Sequence, residues 1–220
     1  DLISAPVTDD ENNLLGRITF DDVIDEIKSE ADESLRQISG IDSDTFEKTS
    51  TAIRTRGFWL GTNLITALIA ASVINIFKDT LEQVIFLAVL MPIIASMGGV
   101  AATQTLTITV RGLALGQIVK ANYLYLFNRE LIVGISNGFL WAVILSLIAC
   151  TWFQDWLLAW VICLSMIINL TAGVLSGMGI PILLRSLKLD PAVAGSVIVT
   201  TVTDVIGFFS FLGLASYFYS

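Results

Sequence analysis

Five runs almost free of Asp, Glu, Lys and Arg constrain this chain more than any other feature. They are Phe58–Phe77, Val84–Val110, Leu131–Phe153, Trp156–Leu184, and the stretch after Asp190 to Ser220, which holds a single carboxylate, Asp204. At a rise of about 1.5 Å per residue, each is long enough to cross a hydrocarbon core of about 30 Å as a helix. Only 15% of the residues are charged and 55% are hydrophobic, whereas a soluble globular chain carries about 25% charged residues. A wholly water-soluble fold is excluded. The sequence predicts an all-α polytopic membrane protein with five transmembrane helices, and an odd number of crossings puts its two termini on opposite sides.

The net charge of −8 sits entirely at one end. Residues 1–56 hold fourteen acids and six bases, and residues 57–220 hold six of each. An acidic chain with no basic stripe argues against nucleic acid as a partner. The absence of His removes imidazole catalysis and His-ligated metals. Cys150 and Cys163 lie in apolar runs with no paired framework, so disulfide and zinc readings fall away. An intramembrane enzyme would need a second carboxylate or an activated nucleophile in the spans, and neither is visible. The first residues are polar and acidic, unlike a secretory leader.

Loop charge sets the expected orientation. Arg54 and Arg56 precede the first span, Arg111, Lys120 and Arg129 separate the second and third, and Arg185 and Lys188 separate the fourth and fifth. One alternation puts seven of the eight bases from Arg54 onward on the same side, which the positive-inside rule makes cytoplasmic. The N-terminus is then cytoplasmic and Ser220 external, in a cell (inner) membrane. Trp59, Trp152, Trp156, Tyr217 and Tyr219 fall at span ends, where interfacial anchors belong.

Residues 1–27 form a first unit, of which 5–27 read as strand, turn, strand, helix. Thr19 or Asp21 caps that helix, and Val23, Ile24 and Ile27 form its apolar face. A hairpin and one helix bury too little to stand alone, so this reads as the tail of a larger domain. Residues 28–56 read as an acidic connecting helix and linker, with 37–53 a mixed polar segment broken at Gly40, and residues 57–220 as the membrane domain. Asp22, Asp25, Glu26, Glu30 and Glu33 recur at spacings of three and four. Stacked like charges weaken a helix unless a cation sits among them. Spacing leaves two readings open: a solvated acidic face, or a sensor for a hard divalent cation.

Within the membrane, Asp204 stands out. A carboxylate in mid-span costs roughly 2.5–3.5 kcal/mol, so it faces a pore or a partner. Thr200, Thr201 and Thr203 surround it, with Thr200 one turn away on the same face, and oxygen ligands suit a hard cation. A hydrogen-bonded structural Asp is the bland alternative. The second span carries Pro92, then Ser96, Gly98, Gly99, Thr103, Gln104, Thr105 and Thr107. This segment is either a close-packing seam of small residues or a wet, opened backbone lining a path. Gly134, Gly138, Gly173, Gly177 and Gly179 are expected to serve packing.

Two membrane motifs and one soluble motif now carry a resemblance. They are Met91-Pro92 through Gln104 to Arg111-Gly112-Leu113-Ala114; Leu189-Asp190-Pro191-Ala192 with Thr203-Asp204-Val205-Ile206-Gly207 fourteen residues on; and Gly16-Arg17-Ile18-Thr19-Phe20-Asp21-Asp22-Val23. Over essentially its whole length the chain resembles the MgtE magnesium channels and transporters, starting from the end of a second CBS domain. The resemblance implies a homodimer in the lipid bilayer, with an ion path between subunits lined by the second and fifth spans. It implies Asp204 as the selectivity carboxylate, with Thr200, Thr203, Pro92, Gly98, Gly99 and Gln104 along the path. It further implies regulatory Mg²⁺ held by Asp22, Asp25, Glu30 and Glu33, with Asp190 at the cytoplasmic mouth. Many members read Gly-Gly-Asn where this chain reads Gly98-Gly99-Val100, and Ser34 replaces an acid common after the position of Glu33. Transport of Co²⁺, Ni²⁺ or Mn²⁺, or a non-conducting membrane scaffold, are the rival readings.

Overall fold

The computed structural model describes residues 3–27, 29, 48–188 and 195–219, so Glu30, Glu33 and Asp190 lie outside the described residues. Strands β1 (Ser4–Thr8) and β2 (Leu14–Thr19) form an antiparallel hairpin, pairing Ser4 with Thr19 and Val7 with Gly16. Asp9 closes the turn by accepting from the Glu11 and Asn13 backbone N–H groups and the Asn13 side chain. Of the two expected caps for the helix that follows (α1, residues 20–27), Thr19 makes the bonds. Its N–H and hydroxyl donate to Asp22 Oδ2 at 2.7 and 2.6 Å, and the Asp22 N–H points back at Thr19 Oγ1 at 3.4 Å. This reciprocal box satisfies helix-end donors that the helix itself leaves free.

The long helices are α2 (Thr49–Ile76), α4 (Phe86–Ala114), α5 (Tyr123–Phe153), α6 (Trp156–Ser186) and α7 (Gly195–Tyr219), with a short α3 (Lys78–Gln83) between the first two. All five are long and apolar enough to cross a membrane. They are also longer than the charge-free runs. Helix α2 starts at Thr49, so the expected linker is helical from there and Arg54 and Arg56 ride on its first turns. Helix α5 starts at Tyr123, which places Arg129 and Glu130 inside it. Charged side chains at span ends reach the interface while their backbone stays helical, so charge marks the membrane boundary and not the helix boundary.

Helix α6 is the hub. It packs against α4, α5 and α7, and more than half of its most apolar stretch is buried, whereas α2 buries only Ala70 and lies against α7. Near one end Leu87, Leu90 and Ile94 of α4 meet Leu158 and Ile162 of α6 and Phe211 and Leu212 of α7. Towards the other end Ala102, Leu106 and Val110 meet Val199.

The hub needs small residues. Lipid tails are as apolar as the helices, so association rests on close van der Waals contact. A Cβ on Gly173 would lie 2.7 Å from the Gly98 carbonyl oxygen, and one on Gly177 would collide with the Ala102 carbonyl oxygen. Gly134 and Gly138 seat α5 on α6 in the same way, through Val174 and Ile167. Gly179 does not belong to the seam as expected: nothing lies within 4 Å of its Cβ position.

Polar ties close both ends of the bundle. Arg185 Nη1 donates to the Leu113 carbonyl at 3.1 Å, joining the last turns of α6 and α4. At the opposite end Asp155 caps α6, accepting from Leu157 N (2.8 Å) and Leu158 N (3.2 Å), and it also accepts from the Tyr219 hydroxyl of α7. Tyr219 therefore turns inward as a latch, while Tyr217 is 80% exposed, as an interfacial anchor should be. Burial pushes the Asp155 carboxyl up, but the hydrogen bonds from Tyr219, Leu158 and Leu157 outweigh it and hold the group below its ordinary value of 3.8. A lowered carboxyl stabilises the fold above that value and loses its contribution as pH falls through the folded-state pKa. Tyr219→Phe should then lower stability at pH 7 by roughly 1.5–3 kcal/mol, the range for a hydrogen bond to a charged group. Thermal unfolding in detergent checks this, and the gap between variant and parent should narrow once the pH drops below 3.8.

Candidate functional site

Helix α4 runs unbroken through Pro92 and the Gly98-Gly99 pair, so the backbone is not opened there. Its two faces differ. One buries Ile94, Gly98, Ala102, Thr105, Leu106 and Thr109 against the bundle. The other carries Ser96, Gly99, Val100, Thr103, Gln104, Thr107 and Ile108, which with Thr200 of α7 line an open groove of about 730 Å³. The steps of three and four residues keep this polar stripe straight along one side of the helix.

The groove offers mainly acceptors. Thr103 and Thr107 donate their hydroxyls to the Gly99 and Thr103 carbonyls, both at 2.9 Å. Thr200 donates to Ser196 O (2.9 Å) and Val197 O (3.1 Å). With its proton turned inward, each hydroxyl leaves only lone pairs for an incoming group. Such oxygens match the outward hydrogens of a hydrated cation. Among the described residues, the Gln104 amide has no hydrogen bond and is exposed to the same space.

Asp204 lies one turn beyond Thr200 on α7, half-buried, and among the described residues nothing hydrogen bonds or ion-pairs with its carboxylate. The bland alternative, an Asp held by protein hydrogen bonds, has no partner among the described residues.

Several expected path residues lie elsewhere. Thr203 is fully buried, with its hydroxyl on Val199 O and Thr200 O and its methyl towards Gly173. Gly98 faces α6, against Asn169. Both are packing positions in this subunit, because one residue along a helix turns a side chain by about 100°. Pro92 is exposed but outside the groove lining.

The acidic segment is only partly described. Asp22 and Asp25 lie in α1, and Asp22 Oδ2 is committed to the Thr19 cap, first through the Thr19 hydroxyl and then its N–H, which holds that carboxyl below its usual value. Among the described residues no group of three or more acidic or thiol side chains comes together around one point.

Two polar residues escaped the sequence reading. Glu130, only 4% exposed, lies inside α5 with Arg129 Nη1 at 3.7 Å. Asn169 is fully buried in α6. The signal for it was present as a lone amide in the fourth span, but a search for charges passes over it.

A bundle of five membrane-length helices, with a groove that carries hydroxyls and one amide and a carboxylate one turn away that has no partner among the described residues, has the form of a polytopic membrane domain. Residues 91–214 match the sequence model of the MgtE family, described as a divalent cation transporter. The chain belongs to this family. It is 35% identical over 220 residues to the magnesium transporter MgtE of Bacillus subtilis (strain 168), an alignment covering 99% of this chain and 49% of the relative. Identity is 32% over 219 residues to the Enterococcus faecalis magnesium transporter MgtE, covering 99% of this chain and 48% of that one. It is 29% over 221 residues to the one from Thermus thermophilus, covering 98% and 48%. The chain spans about half the length of the curated relatives it matches.

Proposed function

We propose that this chain forms the membrane part of a path for Mg²⁺ influx, assembled from two copies whose α4 grooves and α7 faces meet across a twofold axis. The observation that carries this reading is the polar stripe on the outside of one subunit. A bare Gln104 amide facing acyl chains would be unfavourable, and an isologous contact with a second copy covers it while leaving hydroxyl oxygens along the lining. The relatives' role as magnesium transporters supports Mg²⁺ as the cargo.

Mg²⁺ holds octahedral oxygens at about 2.0–2.1 Å and releases water reluctantly. Acceptor oxygens of Thr103, Thr107 and Thr200 would receive hydrogens from its water shell, and two copies of Asp204 would supply the countercharge. The ion passes hydrated, and its size and charge decide selection. The inside-negative potential drives it, at about 4.6 kcal/mol per 100 mV for a divalent ion. The orientation follows the loop charges, with the acidic N-terminal segment cytoplasmic and the C-terminus external. Residues 1–27 then belong to a CBS domain and 28–56 to a connecting helix, where Asp22, Asp25, Glu30 and Glu33, with Asp190 at the mouth, bind regulatory Mg²⁺. Asp22 can contribute one oxygen there without releasing its cap.

Proteoliposomes holding the protein test this. Mg²⁺ influx should appear on imposing an inside-negative potential, and raising Mg²⁺ on the acidic-segment side should slow it. Preferred flux of Co²⁺, Ni²⁺ or Mn²⁺ would reassign the cargo, and no cation flux at all would leave a non-conducting scaffold.

A further inference from the structure

Asn169 sits at the middle of the hub, fully buried in α6. Its Nδ2 donates to the Ile94 carbonyl of α4 at 2.8 Å, two residues past Pro92. Its Oδ1 has no hydrogen-bond partner among the described residues. The amide fills a slot bounded by two glycines. A Cβ on Gly98 of α4 would collide with it, and one on Gly207 of α7 would lie 2.7 Å from Nδ2. One side chain thus touches both helices of the groove. It meets α4 at Ile94 and at Gly98, the residue next to the groove residue Gly99, and α7 at Gly207, one turn after Asp204.

Packing alone does not call for an amide here. A threonine has similar volume and can return its hydroxyl to its own helix, as Thr203 does, so it brings no polar atom that needs an outside partner in hydrocarbon. The Ile94 carbonyl also lies within helix α4, so it would keep its intrahelical partner without Asn169. What the amide adds is direction: a hydrogen bond fixes α4 against α6 at one height, and the glycine on the far side lets α7 close onto the same group. We propose that Asn169 is a positioning residue that sets the separation of α4 from α7, and through it the width of the groove and the cations that pass. This rests on the reading of the groove as an ion path.

The test pairs two variants with two readouts. Asn169→Thr keeps the bulk and removes the hydrogen bond to the Ile94 carbonyl, while Asn169→Ala with Gly207→Ala swaps the amide for a methyl on the opposite helix. In Asn169→Thr, thermal unfolding should stay close to the parent, while the ratio of Mg²⁺ to Ca²⁺ flux in proteoliposomes changes by about fivefold or more, the scale of one lost hydrogen bond. A purely structural role would lower the unfolding temperature and reduce both fluxes alike, leaving their ratio unchanged. The double variant restores volume but not direction, so its flux ratio should remain altered; full recovery would overturn the proposal. Should the parent conduct no cation, the transport reading fails and helix spacing decides this one. Cysteines placed at Gln104 and Thr200, in a background lacking Cys150 and Cys163, would be cross-linked with reagents of graded length. A shifted optimum in Asn169→Thr supports the positioning role, and an identical optimum refutes it.

Discussion

Asp204→Ala is expected to abolish Mg²⁺ influx in proteoliposomes, with a fall of roughly a hundredfold or more, because each copy removes a charge attracting a divalent ion by about 3 kcal/mol or more. The bundle should survive. Asp204 is half-buried and holds no hydrogen bond or ion pair among the described residues, so its loss leaves no orphaned group behind. Removing a carboxylate from mid-span should if anything favour membrane insertion. The proposed dimer should also persist on cross-linking, since the stripe from Ser96 to Thr107 remains. Unchanged influx in this variant would remove Asp204 from the path, and loss of the dimer alongside influx would make it a structural residue.

Gly177→Ala should have the largest effect on the fold. The added methyl would collide with the Ala102 carbonyl and come within 3.0 Å of Thr105 Cβ and 3.1 Å of Leu106 N. Two of these three are backbone atoms of α4, which cannot rotate away as a side chain can. Overpacking costs typically 1–3 kcal/mol, and a seam between two rigid helices belongs at or above the top of that range. Gly179→Ala, two residues along the same helix and facing open space, is the matched control and should gain up to about 1 kcal/mol from helix propensity. Thermal unfolding of the pair in one detergent decides: equal midpoints would mean that the α4–α6 contact is not what holds the bundle. Because Ser96, Thr103 and Thr107 ride on α4, Gly177→Ala should also depress flux, by displacing the groove as a whole.

The five spans were legible because hydrocarbon tolerates so few solutions. A stretch without charges longer than about 18 residues is a helix there, whatever its neighbours do. The exceptional side chains were legible for the same reason: Asp204 and the Thr and Gln run of α4 are polar where polarity is unfavourable. Helix ends were read less well, since Arg54, Arg56 and Arg129 are charged yet helical, and water at the interface satisfies either arrangement.

Which way each residue faces was not legible. Thr200 and Thr203 look alike in sequence, yet one lines the groove and the other is buried against Gly173. Gly98 and Gly99 are neighbours and face opposite duties, packing and lining. The hydrophobic pattern gives no phase here, because the lipid-facing side of a membrane helix is as apolar as its buried side. The chain alone therefore determined that five helices cross the membrane, that an acidic segment precedes them, and that one carboxylate sits where lipid would not have it. The tertiary structure decided that α6 is the hub, that Asn169 bridges α4 and α7 through two glycines, and which hydroxyls reach the groove. Crossing a bilayer is a property of one segment and its solvent, while facing a groove depends on which neighbour occupies the other side.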